Sequence, residues 1–337
     1  FFLLSSFLFA SCAPKGPATL TVMTHDSFAI SDEVLAAFEA ENQVEVVFIR
    51  SGDTGSAVNA AVLAAGKPFA DVFYGVDNTF LSRALEADIF EVYASPALAG
   101  IPQEFQLDPQ ARVLPVDFGD VCLNYDRLYF EERNLAAPSS LEDLTAPAYA
   151  GMLAVPNPAS SSPGLAFLLA TIGHFGEEGY LDYWRALTDN DLKVVNDWET
   201  LYYTEFSRWG GNRPVVVSYG SSPPFEILFA EEPMQTPPTE VLIADRTCYR
   251  QIEFVGILKG TQNRSLAEKW VDFMLSTTFQ EDLPLQMFVF PVNPQAKLDQ
   301  AFLDFLAVPE NPVMLDPESI TENREQWIND WRETVLQ

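Results

Sequence analysis

The strongest constraint on the fold is the order in which two periodicities alternate along the chain. Thr19 to Met23, Val44 to Ile49 and Asp71 to Gly75 are short β-prone runs. Between and after them lie helical stretches. Ser31 can cap one whose apolar face holds Val34, Leu35 and Phe38. Ser56 to Ala65 reads as a small-residue helix ending at Gly66, and Phe80, Leu81, Ala84 and Leu85 mark a third. This βαβα order builds a parallel sheet with helices on its faces. Val116 to Tyr125 then breaks the pattern as one long extended segment. A second α/β unit follows, with strands at Met152 to Val155, Val194-Val195 and Val215 to Tyr219, and helices at Gly164 to Ile172 and Leu181 to Leu187. Ile252 to Leu258 is extended again, before helices at Ser265 to Leu275 and Ser276 to Leu285. The expectation is two α/β lobes joined by crossovers near residues 117–125 and 249–257. A chain of 337 residues is long enough for two such cores. Ligands of open α/β sheets sit beyond the carboxyl ends of the strands, so the lobes should face each other across a cleft. Trp327 and Trp331, at helical spacing, read as a docking face.

Charge narrows the partners. With 48 acidic and 19 basic residues the net charge is -29, which excludes nucleic acid as a partner and opposes anionic lipid. Such acidity serves solubility, and it also attracts cations. Phe1 to Ala10 is almost wholly apolar and ends in Ala10-Ser11-Cys12. It is too short to span a bilayer and reads as the end of a secretion signal, the start of a longer leader being absent. Leu8-Phe9-Ala10-Ser11-Cys12 resembles a bacterial lipobox, with Cys12 as the lipidated residue and residues 13–18 as a tether. Cys122 and Cys248 show neither CxxC nor zinc spacing; an exported chain can join them in a disulfide or bury them as thiols.

Six segments after strands carry the polar and aromatic groups that chemistry needs. They are Thr24 to Phe28, Ser51 to Ser56, Tyr74 to Asn78, Asn157 to Gly164, Asp197 to Glu199, and Ser218 to Phe225. Ser162-Pro163 and Ser222-Pro223 each read as a capping Ser before a Pro at the first helical position, which presents free N–H groups and hydroxyls to acceptor atoms. Trp198, Tyr219 and Phe225 offer flat faces, and Asp53 a carboxylate, for a cation. There is no G-x-S-x-G, HExxH, P-loop or GxGxxG, and His25 and His174 are the only histidines. Tyr202-Tyr203 suggests ferric-ion ligation, but helical spacing more simply makes one core and one surface residue.

Taken together and in order, Thr24 to Ala29, Gly75 to Asn78, Pro115 to Gly119, Ser161 to Leu165, Trp198, Ser218 to Pro223 and Phe290 to Val292 resemble the thiamine-binding proteins of bacterial ABC importers. The resemblance runs from Leu20 to Trp331 and implies the two-lobed type 2 periplasmic binding-protein fold. It places the lobes at residues 19–118 with 256–337, and at 119–255. It implies a ligand-binding set of His25, Asp53, Ser161, Ser162, Trp198, Tyr219, Ser222, Phe225 and Phe288, with Asp53 as counter-charge and the aromatic rings as walls. The implied protein is an exported, lipid-anchored monomer of the periplasm or outer membrane face. It would hand thiamine or a thiamine phosphate to a permease, without cofactor, metal or catalysis. His25 and Phe225 stand where the family shows Tyr, and Phe288 where it shows Trp, which leaves the ligand's exact form open. The alternatives are a ferric-ion or other small-solute receptor of the same fold, and a thiamine-pyrimidine-processing enzyme with Cys122 as nucleophile.

Overall fold

The apolar runs become the strands of a mixed sheet. The computed structural model describes residues 18–230, 232, 234–287, 289–306 and 308–336. Residues 1–17, on which the expected leader end, Cys12 and most of the expected tether fall, and Phe288 lie outside the described residues. The strands are β1 (Ala18–Thr24), β2 (Val44–Arg50), β3 (Val72–Asp77), β4 (Phe90–Glu91), β5 (Leu114–Asp126), β6 (Leu153–Pro156), β7 (Lys193–Val195), β8 (Val215–Tyr219), β9 (Thr239–Leu242), β10 (Tyr249–Leu258) and β11 (Phe290–Pro291). The helices are α1 (Asp32–Asn42), α2 (Thr54–Leu63), α3 (Leu81–Glu86), α4 (Arg127–Glu132), α5 (Ser162–Phe175), α6 (Tyr180–Asp189), α7 (Trp198–Thr200), α8 (Ser222–Leu228), α9 (Arg264–Met274), α10 (Thr277–Gln286), α11 (Gln300–Asp304) and α12 (Pro317–Val335).

Sheet order is β2-β1-β3-β10-β5-β8-β6-β7. The parallel trio β2-β1-β3 forms one flank, and β8-β6-β7 the other. β5 and β10 run antiparallel through the middle. β10 also pairs with β3, and β5 with β8, so the two crossovers together join the flanks. These are the extended segments expected near 117–125 and 249–257. Strands covered on both faces lose their polar alternation; every residue of β3 is buried. α5 is buried from Ser162 to Ile172, as a helix that is apolar all round must be.

Trp327 and Trp331 are buried, so the C-terminal helix does dock. α12 straps both flanks: Trp331 meets Trp184 of α6 at 5.6 Å, and the Arg324 guanidinium lies 5.1 Å over Phe80, beside α3.

Cys122 and Cys248 are joined in a disulfide, which resolves the two readings left open by the sequence. It spans 126 residues and ties β5 to the start of β10. It also removes Cys122 as a nucleophile, because its sulfur is already bonded. Replacing both cysteines by Ala is expected to lower the free energy of unfolding by about 2–5 kcal/mol, since a long loop regains its freedom in the unfolded chain. Urea unfolding of the ligand-free variant checks this; an unchanged midpoint would rule the effect out.

Candidate functional site

The carboxyl ends of the two parallel trios meet at one cleft. On the first flank, Asp26 and Gly52 lock the loops after β1 and β2 through Gly52 N to Asp26 Oδ1 (2.9 Å) and Asp26 N to Gly52 O (3.0 Å). His25 then lies against Gly75, whose φ of +103° and missing Cβ are both needed: a Cβ there would sit 2.3 Å from His25 Cδ2. Asp53 caps α2, accepting from Thr54 N at 2.8 Å. The helix therefore begins at Thr54, not at Ser56. Gly55, which reads as a loop residue, is in the first turn because α2 packs directly on the other flank: Gly55 N donates to Ser160 O at 3.1 Å. A Cβ at Gly55 would stand 2.9 Å from that oxygen.

The second flank supplies the opposite wall. Asp197 caps the short α7, accepting from Thr200 N at 2.7 Å. This aims the Trp198 N–H across the cleft at Asp53 Oδ2, 3.2 Å away. The Trp198 indole donates to Ser218 Oγ at 3.2 Å, and Ser218 is held by Ser222 Oγ at 2.9 Å. Its ring stacks on Tyr202 at 5.2 Å and meets Tyr219 at 6.1 Å. The two cross-cleft hydrogen bonds mean that the structure is closed.

Between the walls is a cavity lined by His25, Asp53, Ser162, Trp198 and Tyr219 of the expected set. Also lining it are Glu253 and Met287, which sequence reasoning missed, and Glu199 and Tyr203, which it noted without placing them in the ligand-binding set. Glu253 had a signal: it is an acid inside the apolar run Ile252-Glu253-Phe254-Val255 of a crossover strand. Among the described lining residues there is no Lys or Arg, against three carboxylates. Burial raises the Asp53 carboxyl above its usual range, opposed by hydrogen bonds and by His25. Burial also raises Glu199, with Asp26 and Asp197 adding repulsion. Burial disfavours a charged His25, but the nearby Glu253 carboxylate outweighs it and raises the imidazole above 6.5.

The other expected residues have different places. The Ser161 hydroxyl lies close enough to Asp53 to favour its charge, without well-aligned hydrogen-bond geometry, and the buried Ser162 hydroxyl at the start of α5 is likewise unsatisfied. The residues that cap α5 and α8 are Ser161 and Ser221, one earlier than the sequence suggests, and neither caps through its side chain. Ser222 stands behind the wall and braces it through Ser218. Phe225 does not line the cavity: it packs on Phe302 at 5.5 Å and Phe229 at 5.6 Å, in a neighbouring groove. Tyr202 is buried and donates to Glu226 at 2.9 Å, while Tyr203 is half exposed, so the pair splits as a core and a surface residue. Among the described residues no His, Cys, Asp and Glu group is fit to hold a metal ion. Asp77 and Asn78 prove structural: Asp77 accepts from Thr79 N at 2.7 Å, and Asn78 Oδ1 accepts from Ile252 N at 3.1 Å.

Comparison with known proteins bears on family and fold. The family model described as bacterial extracellular solute-binding protein matches residues 67–304. The chain is 29% identical to the thiamine-binding periplasmic protein of Brucella suis biovar 1 (strain 1330), over 97% of this chain and 96% of that one. It is 27% identical to the thiamine-binding periplasmic protein of Escherichia coli (strain K12), over 94% and 93%. Among solved structures, a periplasmic thiamin binding protein superposes with a TM-score of 0.84 at 26% identity, over 95% of this chain and 96% of that one.

Proposed function

We propose that this chain, which belongs to the bacterial extracellular solute-binding protein family, is the receptor of an ABC importer and captures thiamine in the cleft between its lobes. The observation that carries the reading is the cavity itself: Trp198 and Tyr219 as flat walls, with Asp53, Glu199 and Glu253 around them and no Lys or Arg among the described lining residues. A desolvated cation over such faces gains about 2 kcal/mol or more. The same charge pattern disfavours phosphate esters, so unphosphorylated thiamine is the preferred form. A helix start favours acceptor atoms, so Ser162 and Ser161 at α5 would meet the pyrimidine nitrogens rather than the thiazolium. His25 and Tyr219 would pack against the rings.

In the same reading the lobes are residues 19–118 with 256–337, and 119–255. Thiamine binds one lobe, the crossovers bend, and closure presents a surface that a permease recognises. Lipidation of Cys12 would tether the monomer to the membrane's outer face; among the described residues no helix is long and apolar enough to cross a membrane. As a solute-binding protein it releases its ligand unchanged.

Titration by tryptophan fluorescence and calorimetry tests the reading. Thiamine is expected to bind saturably at one site, and thiamine phosphate about tenfold or more weaker, a difference of about 1.4 kcal/mol. Absence of any signal with thiamine would refute it, and recovery of cleaved pyrimidine would point to an enzyme instead.

A further inference from the structure

Asp77, Glu253 and Asp117 lie directly opposite one another on the adjacent strands β3, β10 and β5. All three are buried. Like charges in register repel, and buried carboxylates without partners cannot all stay ionised. The Tyr74 hydroxyl reaches two of them, donating to Asp117 Oδ2 at 2.6 Å and lying 3.1 Å from Glu253 Oε2. One hydroxyl proton cannot serve two ionised carboxylates at once, and burial, then Glu253, raise the Asp117 carboxyl well above the usual range. Burial raises Asp77 to about 7. Burial pushes Glu253 up, but His25 foremost, with Asp117 and Tyr74, outweighs it and holds the carboxyl below its usual range.

The array therefore needs a cation, and His25 provides it. Its Nε2 lies 3.4 Å from Glu253 Oε1 without hydrogen-bond alignment, and both residues line the cavity. The other groups facing them are Asp53 at α2, Tyr74 and Asp77 on β3, Asp117 on β5 and Tyr219 on β8; Arg324 of α12 acts on Asp77 from its far side.

We propose that Glu253 is a second anionic contact for the bound cation, and that the cation, on seating beside it, drives the proton off His25 into solvent. The inference rests on the thiamine reading. Two cations cannot share one buried carboxylate cheaply, so the ligand's fixed charge replaces the imidazolium's. The free cleft binds the proton and the filled cleft does not. Affinity then rises with pH below the raised titration point of free His25 and levels off above it.

Calorimetry of the ligand-free protein with thiamine, in phosphate and in bis-Tris near pH 6.5, reads this directly. The observed enthalpy should change with the buffer's ionisation enthalpy by an amount approaching one proton released per site, and affinity should rise by up to about tenfold per pH unit on the acid side. His25→Gln should bind thiamine with no buffer dependence. Glu253→Gln should bind more weakly and release no proton. Thiamine binding with equal enthalpies in both buffers would overturn the proton linkage and leave the thiamine reading intact. Persistent release in His25→Gln would overturn the role of His25. Absence of binding by the wild-type protein would remove both.

Discussion

Trp198→Ala is expected to weaken thiamine binding by about ten- to a hundredfold, or about 1.4–2.8 kcal/mol. The indole supplies one flat wall of the cavity and is 6% exposed, so on the proposed reading its face would meet the ligand away from bulk solvent. The loss combines a cation–π contact with the apolar area of the ring. The substitution also empties a stack on Tyr202 and costs about 3–5 kcal/mol of fold stability, as large aromatic truncations do. Trp198→Phe separates the two effects. It keeps a ring against the ligand and loses the bond to Ser218, so its affinity should fall only a few-fold. Equal affinities for wild type, Phe and Ala variants, each still folded by circular dichroism, would exclude Trp198 from the site.

The two crossovers were legible as the extended runs Val116 to Tyr125 and Ile252 to Leu258, which lie inside β5 and β10. Helix starts were less legible. Gly55 reads as loop, yet the first turn of α2 requires a residue without Cβ because Ser160 of the other flank presses on it. That is a tertiary reason, and it moved Asp53 from a loop acid to a helix cap. The strand ends behave alike: β3 runs to Asp77 because Asp77 turns inward to cap the next turn, which no periodicity reveals. β9 and β11 escaped notice for another reason. β11 is two residues long, and β9 follows a proline-rich stretch; both form only because β5 offers them an edge.

The site was half legible. Residues placed just after strands, such as His25 and Trp198, could be ranked from type and position. Glu253 stood out only as an acid inside an apolar run, because it sits within a strand, and its register against Asp117 and Asp77 is what shows that three acids are stacked. Phe225 was assigned to the cleft by its place after Ser222-Pro223, but a seven-residue helix rotates it toward Phe302.

Asp53→Asn is the second large effect, because Asp53 does two jobs with one carboxylate. Its Oδ1 holds Thr54 N and its Oδ2 holds Trp198 N, so it joins the first turns of α2 and α7 across the closed cleft. Asn keeps the size and one acceptor oxygen; its amide nitrogen cannot accept from Trp198. The variant therefore loses both the charge that faces the cation and the bond that favours closure. Truncating one member of a buried charged contact costs about 2–5 kcal/mol, and the conservative change to Asn lands at the lower end, about thirtyfold in affinity. Two readouts distinguish charge from closure. For an uncharged thiazole analogue, only the closure part is lost, so the variant should discriminate thiamine from the analogue less well than the wild type does. Closure itself is read by small-angle scattering, where the ligand-free variant should be more open than wild type. If Asp53→Asn bound thiamine as tightly as wild type, the carboxylate would not be the counter-charge, and the cation would have to lie against Glu199 or Glu253 instead.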